Sequence, residues 1–352
     1  MLILGAAANL LLASLTHTVA ATNDVVEGSA QLKPYESISV HDPVMIRQNG
    51  TYYVFATGHG INVWRSTDMK HWTKQAPVFA TPPTWIKDVV PSFRGDYWAP
   101  DISFHQGKYY LYYAVSAFGK NTSAIGVATS STLDTNDVHF KWEDQGMVIQ
   151  SIPGQDNWNA IDPNLIVDDA GTPYLVFGSF WGGLEMGKLT PDYLKFAGGT
   201  SNLVTVASRK ASPSDPNPPA PEGNPPDAGG NAIEAPFIYK HGQWYYLFAS
   251  IDYCCRGAKS NYKVIVGRSK NMTGPFLDEQ RKDLARGGGT VIVAGDAHWY
   301  GVGHTGTYQF DGVDYLIFHG YDAAQRAIPK LCIEKITWTP EGWLKVSASR
   351  NE

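Results

Sequence analysis

The stretch HDPVMIRQNGTYYVFAT, residues 41–57, decides the fold. Apolar residues run into a Gln-Asn-Gly turn at 48–50 and out through Tyr52-Tyr53-Val54-Phe55, the signature of a β-hairpin. It opens on Asp42, placed directly before a proline. The same pattern returns as WAPDISFHQGKYYLYYAVS (98–116), IDPNLIVDDAGTPYLVFGS (161–179), IEAPFIYKHGQWYYLFAS (233–250) and HTGTYQFDGVDYLIFHG (304–320). The turn glycines are Gly50, Gly107, Gly171, Gly242 and Gly312, at intervals of 57 to 71 residues. Between the hairpins lie further strand-like pieces such as INVWRSTDMKHW, GLEMGKLT, KVIVGRSK and LCIEKITWTPEGWLKV. Four strands per unit and five units predict an all-β protein, a five-bladed β-propeller.

Composition agrees. Among 352 residues, 43% are hydrophobic and 12% aromatic, enough for a large core, and 35 Gly with 22 Pro favour many turns over helices. A net charge of −5 argues against a nucleic-acid partner. The segment 208–231, rich in Pro, Gly and Asp, reads as a loop inserted between the third and fourth blades of one domain spanning 22–352. Residues 1–21 carry an apolar run followed by small residues, the pattern of a signal peptide, although no Lys or Arg precedes it. As a membrane anchor the run would be too short, and no later segment could span a bilayer. The chain is therefore expected to be secreted, with sequons at Asn49, Asn121 and Asn271 as glycan acceptors. Of three cysteines, Cys254 and Cys255 are adjacent. Either a vicinal disulfide or two free thiols is compatible with that spacing.

Counting back from the turn glycines gives a register. Eight residues earlier stand Asp42, Ala99, Glu234 and His304, and nine before Gly171, across a longer turn, stands Asp162. In a propeller the starts of the innermost strands share one end of the central channel. An aspartate before proline is often no more than a turn starter. Glutamate has no such role, and gathering three acids is costly because like charges oppose joint ionisation. The set is thus expected to be functional. GVGHTG (301–306) matches a dinucleotide fingerprint only formally, since strand residues follow it. His304 is either a structural histidine or a ligand for a cation drawn to the acidic channel.

Two carboxylates flanking a bond, one protonated and one ionised, are the apparatus of glycoside hydrolysis, and a third acid nearby can raise the pKa of the proton donor. Trp98, Phe118, Trp158, Trp181 and Trp299 are expected in the loops beside the acids, where flat rings can receive sugar.

On the stretches VHDPVM, FATGHGI, PTW, YWAPDI, YYAVSAFGKNTSAIGVA, WNAIDP, FGSFWGGL, IEAPFI, YLFAS, YCCRG, VIVGRSK and GVGHTGTY, the chain resembles glycoside hydrolase family 43, from about Ser39 to Val346. Within it the likeness is to arabinanases that cut α-1,5-linked L-arabinan. The resemblance implies inversion, with Asp42 as general base, Glu234 as general acid and Asp162 as the pKa-tuning and orienting residue. It also implies a hydrated calcium-like ion (Ca2+) in the channel, with His304 as its protein ligand. Trp98 and Phe118 match aromatic subsites; His41, Asn159, Ser179 and Trp181 are expected to complete the substrate contacts. A monomer cutting within the arabinan chain is expected, with no membrane partner. The alternatives are an exo-acting α-L-arabinofuranosidase or β-xylosidase on the same fold, or a lectin-like propeller without catalysis.

Overall fold

The computed structural model describes residues 38–347, so the signal-peptide expectation for 1–21 lies outside them. The chain forms five antiparallel sheets, one per hairpin, as a five-bladed β-propeller. The innermost hairpins are Val44–Gln48 with Thr51–Ala56, Asp96–His105 with Lys108–Val115, Asn164–Val167 with Pro173–Phe177, Ile233–His241 with Trp244–Ile251, and Trp299–Phe310 with Val313–Asp322. Two further strands complete each blade. The second blade gains a fifth, Gly58–His59, which pairs with Asp96–Tyr97 and stitches it to the first.

The apolar second strands explain how blades pack. In Lys108–Val115, Tyr109, Leu111, Tyr113 and Val115 pack with Val44 and Phe55 of the first blade. Their alternates Tyr110, Tyr112 and Ala114 pack with Leu165 and Phe177 of the third. Strand side chains alternate between faces, so a strand sandwiched between blades needs apolar residues on both. Each fully buried large side chain of this kind contributes roughly 1.5–3 kcal/mol. Successive blades share one such cluster each, and the last joins Ile317, Leu331 and Ile333 of the fifth blade to Met45 and Val54 of the first. That cluster closes the ring, and Ser39 pairs with Lys330 beside it.

The turns refine the register. Gln48 pairs with Thr51, leaving Asn49-Gly50 as a two-residue turn with φ of 48° and 81°, a twist that suits Asn and Gly. In the fourth blade His241 pairs with Trp244, so Gly242 is the first turn residue rather than the second. Counting from that glycine therefore lands one residue early. The matching slots are Asp42, Ala99, Asp162, Ala235 and His304, all with left-handed backbone, φ between 43° and 57°. The expected ring of Asp, Ala, Asp, Glu and His is corrected to Asp, Ala, Asp, Ala and His, and Glu234 enters from the residue before its slot. Pairing shifts register between Glu234 and Phe237, a bulge that re-aims the strand start.

Among the described residues no helix is long and apolar enough to cross a membrane. Asn49 and Asn271 lie at the surface. Asn121 is buried, and its amide donates to the Asp156 and Trp158 carbonyls at 3.1 Å each, which leaves no place for a glycan there.

Candidate active site

Strand starts from all five blades converge on a cleft of about 430 Å³, within the usual range for small-molecule sites. Asp42, Asp162, Glu234 and His304 line it together with His41, Trp98, Phe118, Asn159, Ser179 and Trp181. Trp158 and Trp299 do not. The first packs in the core between the second and third blades, and the second is fully buried beneath the fifth, where large apolar area gains most from leaving water.

Asp42 is surrounded by donors. Its Oδ2 accepts from the Thr57 hydroxyl at 2.5 Å, and its Oδ1 lies 2.8 Å from His41 Nδ1 and 3.1 Å from His304 Nδ1. Burial alone would raise its pKa. The electrostatic pull of the His41 and His304 rings and their hydrogen bonds outweigh that and hold it well below the usual carboxylate range. Asp162 and Glu234 go the other way. Burial raises both, and although His304 offsets part of it, Asp42 pushes both further up, with Glu234 adding to the push on Asp162. Asp162 Oδ2 accepts from the Ala235 N–H at 3.1 Å, which ties it to the strand carrying Glu234. Glu234 Oε2 accepts from Ser179 Oγ at 2.7 Å, so Ser179 serves the acid directly. Asn159 is likewise engaged, its Oδ1 accepting from Ser123 Oγ at 2.6 Å.

His304 donates its backbone N–H to Ser250 Oγ at 2.8 Å. Burial opposes its charge, but Asp42, Asp162 and Glu234 raise its pKa to about 9. With Nδ1 turned to Asp42, the ring offers one nitrogen, and His304 belongs to none of the described clusters of three metal-type ligands. A hard cation here fits only as a hydrated ion, with oxygen ligands from water and the surrounding carboxylates supplying charge.

Several residues were not foreseen. Thr57 Oγ1 accepts from the Ala99 N–H at 2.8 Å while donating to Asp42, so one hydroxyl links two blades at the site. His319 Nδ1 accepts from the Asp42 N–H at 3.1 Å and its ring stacks on His41 at 3.9 Å. Tyr321 lies 2.7 Å from His41. The available signal was the alternation His319, Tyr321 on one face of a strand whose neighbours are apolar. Cys254 and Cys255 form a vicinal disulfide on the cleft wall, whereas Cys332 is a buried free thiol.

The segment 208–231 reaches the cleft, which Gly223, Asn224, Pro225 and Ala228 help to line. Pro225 packs against Gly119, where a β-carbon would come within 2.5 Å of it. Asp227 pairs with Lys120, Asn217 with Asn157, and the Ala228 carbonyl accepts from the Trp181 N–H at 3.4 Å. The insertion thus spans from the third and fourth blades to the 117–120 loop of the second.

Comparison with known proteins accords with this geometry. An extracellular exo-α-(1→5)-L-arabinofuranosidase, ArbA, of Cellvibrio japonicus is 46% identical over 312 residues, 88% of this chain and 87% of that one. An extracellular endo-α-(1→5)-L-arabinanase of Bacillus subtilis is 41% identical over 308 residues, 86% of each chain. The solved α-L-arabinanase of Cellvibrio cellulosa in complex with arabinohexaose superposes with a TM-score of 0.81 at 45% identity, covering 90% of this chain and 96% of that one. The model for glycosyl hydrolases family 43 matches residues 32–344, and the chain belongs to that family as an arabinan-directed glycoside hydrolase.

Proposed function

We propose that this protein hydrolyses the α-1,5-L-arabinofuranosidic bonds of arabinan by a single displacement with inversion. The observation that carries this is the division of charge in one cleft: Asp42 is driven towards its ionised form, Glu234 and Asp162 towards their protonated forms. Asp42 serves as general base. A carboxylate offers about four lone-pair sites, and Thr57, His41 and His304 occupy three, leaving one for the attacking water. Glu234 is the general acid that protonates the departing oxygen; burial and the charge of Asp42 keep its proton on, and Asp162 orients it through the Ala235 N–H of the same strand. A calcium-like ion would be held by His304 in its neutral form, taking the place of the ring proton, and would supply positive charge beneath the carboxylates. Trp98, Phe118 and Trp181 offer ring faces to the furanose units. The apolar run at 1–21 and the word extracellular in the relatives' names support export.

For the mode of attack, the bridge made by 208–231 supports cutting close to a chain end rather than deep within it. A wall across one end of the groove limits how many sugars can extend past the scissile bond. The alternative is internal cleavage, as the Bacillus subtilis relative's name describes for that protein.

Digestion of debranched arabinan, followed by proton NMR at the first turnover, tests the reaction. The product is expected with inverted anomeric configuration; retention, or no hydrolysis, would sink the proposal. Inversion also requires the Asp42 and Glu234 carboxyls to stand about 6.5–9.5 Å apart in a substrate complex. Viscosity tests the mode. Short products should accumulate with little early viscosity loss, and Lys120→Ala, which frees Asp227 and loosens the bridge, should lengthen them. That exposed pair contributes at most about 1 kcal/mol to stability, so the fold should survive.

A further inference from the structure

We propose that the Cys254–Cys255 disulfide turn and Tyr321 together position the Asp42 carboxylate, through an unbroken line of hydrogen bonds that passes through His41. The proposal deepens the function above and rests on Asp42 being the base. Along the line, the Cys255 N–H donates to the Tyr321 hydroxyl oxygen at 2.9 Å. That oxygen lies 2.7 Å from His41 Nε2, and His41 Nδ1 lies 2.8 Å from Asp42 Oδ1.

The direction of the line is set by where the Tyr321 hydroxyl proton goes. Two acceptors lie within reach of the Tyr321 proton, Cys255 Sγ at 3.9 Å and His41 Nε2 at 2.7 Å, and the much shorter contact to nitrogen takes it. The ring proton then sits on Nδ1 and is donated to Asp42. Burial keeps the Tyr321 hydroxyl protonated well beyond the ordinary tyrosine range, so it remains a donor at any working pH. His319, stacked on one face of His41, stops the ring from turning away. Asp42 thereby keeps one oxygen engaged and the remaining lone pair aimed at water.

The disulfide matters because of the backbone it imposes. Cys255 has a φ of 63°, a left-handed conformation that residues with a β-carbon seldom adopt unless their surroundings enforce it. That backbone points the Cys255 N–H at Tyr321. Opening the cross-link frees Cys255 to relax, and the first bond of the line loses its aim. Cys255 is exposed on the cleft wall and within reach of a small dithiol, in contrast to buried Cys332. Reduction by dithiothreitol delivers two electrons and two protons to the Cys254–Cys255 bond, gives two thiols and leaves the reagent as its cyclic disulfide.

Three measurements test the line. Tyr321→Phe is expected to lower kcat on arabinan roughly tenfold while KM stays within about twofold, the split expected for a lost orienting bond. Dithiothreitol should lower wild-type kcat similarly and reversibly, yet cost Tyr321→Phe nothing further, because the line is already cut. Unchanged kcat in Tyr321→Phe, or an additive loss when that variant is reduced, overturns the proposal. The ring ¹⁵N shifts of His41 read the line without turnover. Protonation at Nδ1 alone is expected in the oxidised wild type, and a mixture of tautomers in Tyr321→Phe and in the reduced protein. A wild-type His41 lacking the Nδ1 proton overturns the proposal even if arabinan is cleaved. Failure to cleave arabinan would instead sink the function while the ¹⁵N signature stands.

Discussion

Asp42 and Glu234 share one cleft and both are penalised by burial, yet their surroundings drive them to opposite protonation states. Asp42 is ringed by two imidazoles and a hydroxyl. Glu234 faces the hydroxyls of Ser179 and Tyr262 and feels the charge of Asp42, with Asp162 buried in the same cavity. Burial alone therefore predicts the wrong state for Asp42. What separates the two acids is which groups the ring of blades sets against each, and this asymmetry is what the proposed mechanism, with one proton donor and one acceptor, requires.

The most severe way to break the comparison is to remove either member. Asp42→Asn and Glu234→Gln should each lower kcat at least about a hundredfold, the lower bound for a lost general base or acid, with circular dichroism unchanged. Near-normal turnover in either would end the assignment. A neutral substitution at a buried carboxylate outside the cleft lining sharpens it by asking what burial does with little help from cations. Asp101 accepts from the Leu165 N–H and from Asn164 Nδ2, yet burial pushes its pKa up to about 6. The folded state then binds its proton more tightly than the unfolded chain, whose value is about 3.9. Stability should fall as pH rises from about 4 to about 6, by roughly 3 kcal/mol in all if this group acts alone. Asp101→Asn keeps only one of the two accepted bonds, so its expected mark is a flatter melting temperature over that interval. An unchanged slope would show that another group is responsible. The smallest effect is expected at Ser179. Its hydrogen bond favours ionised Glu234, so Ser179→Ala should raise the pKa of the acid further. Since the acid works protonated, the alkaline limb of the kcat profile should move to higher pH, with kcat at the optimum altered only a few-fold. A limb that moves down would reverse the assigned role of that bond.

Much of this was legible beforehand. The five hairpins, their glycine turns and the alternating apolar strands are dictated by residues adjacent or two apart in the chain, so repeats reveal them. Asp42 and Asp162 were readable for the same reason, each sitting directly before a proline at a strand start. Glu234 was found by a count that the fourth turn shifts by one residue, and its X-Pro slot belongs to Ala235. Trp158 and Trp299 were misplaced because a tryptophan near a loop looks alike whether it faces sugar or core. Thr57, His319 and Tyr321 carried no motif, and their roles arise only where strands meet.

By itself the sequence determined the blade repeat, the all-β class and a short list of acids, because backbone preference and two-residue alternation are local properties. Tertiary structure alone decided towards which protonation state each acid is driven, that 208–231 docks on the second blade, and that Cys255 lies in line with Asp42 through Tyr321 and His41. Those outcomes depend on groups separated by up to 280 residues lying within hydrogen-bond reach. Electrostatics and hydrogen bonding act through space, and only closure of the ring specifies that space.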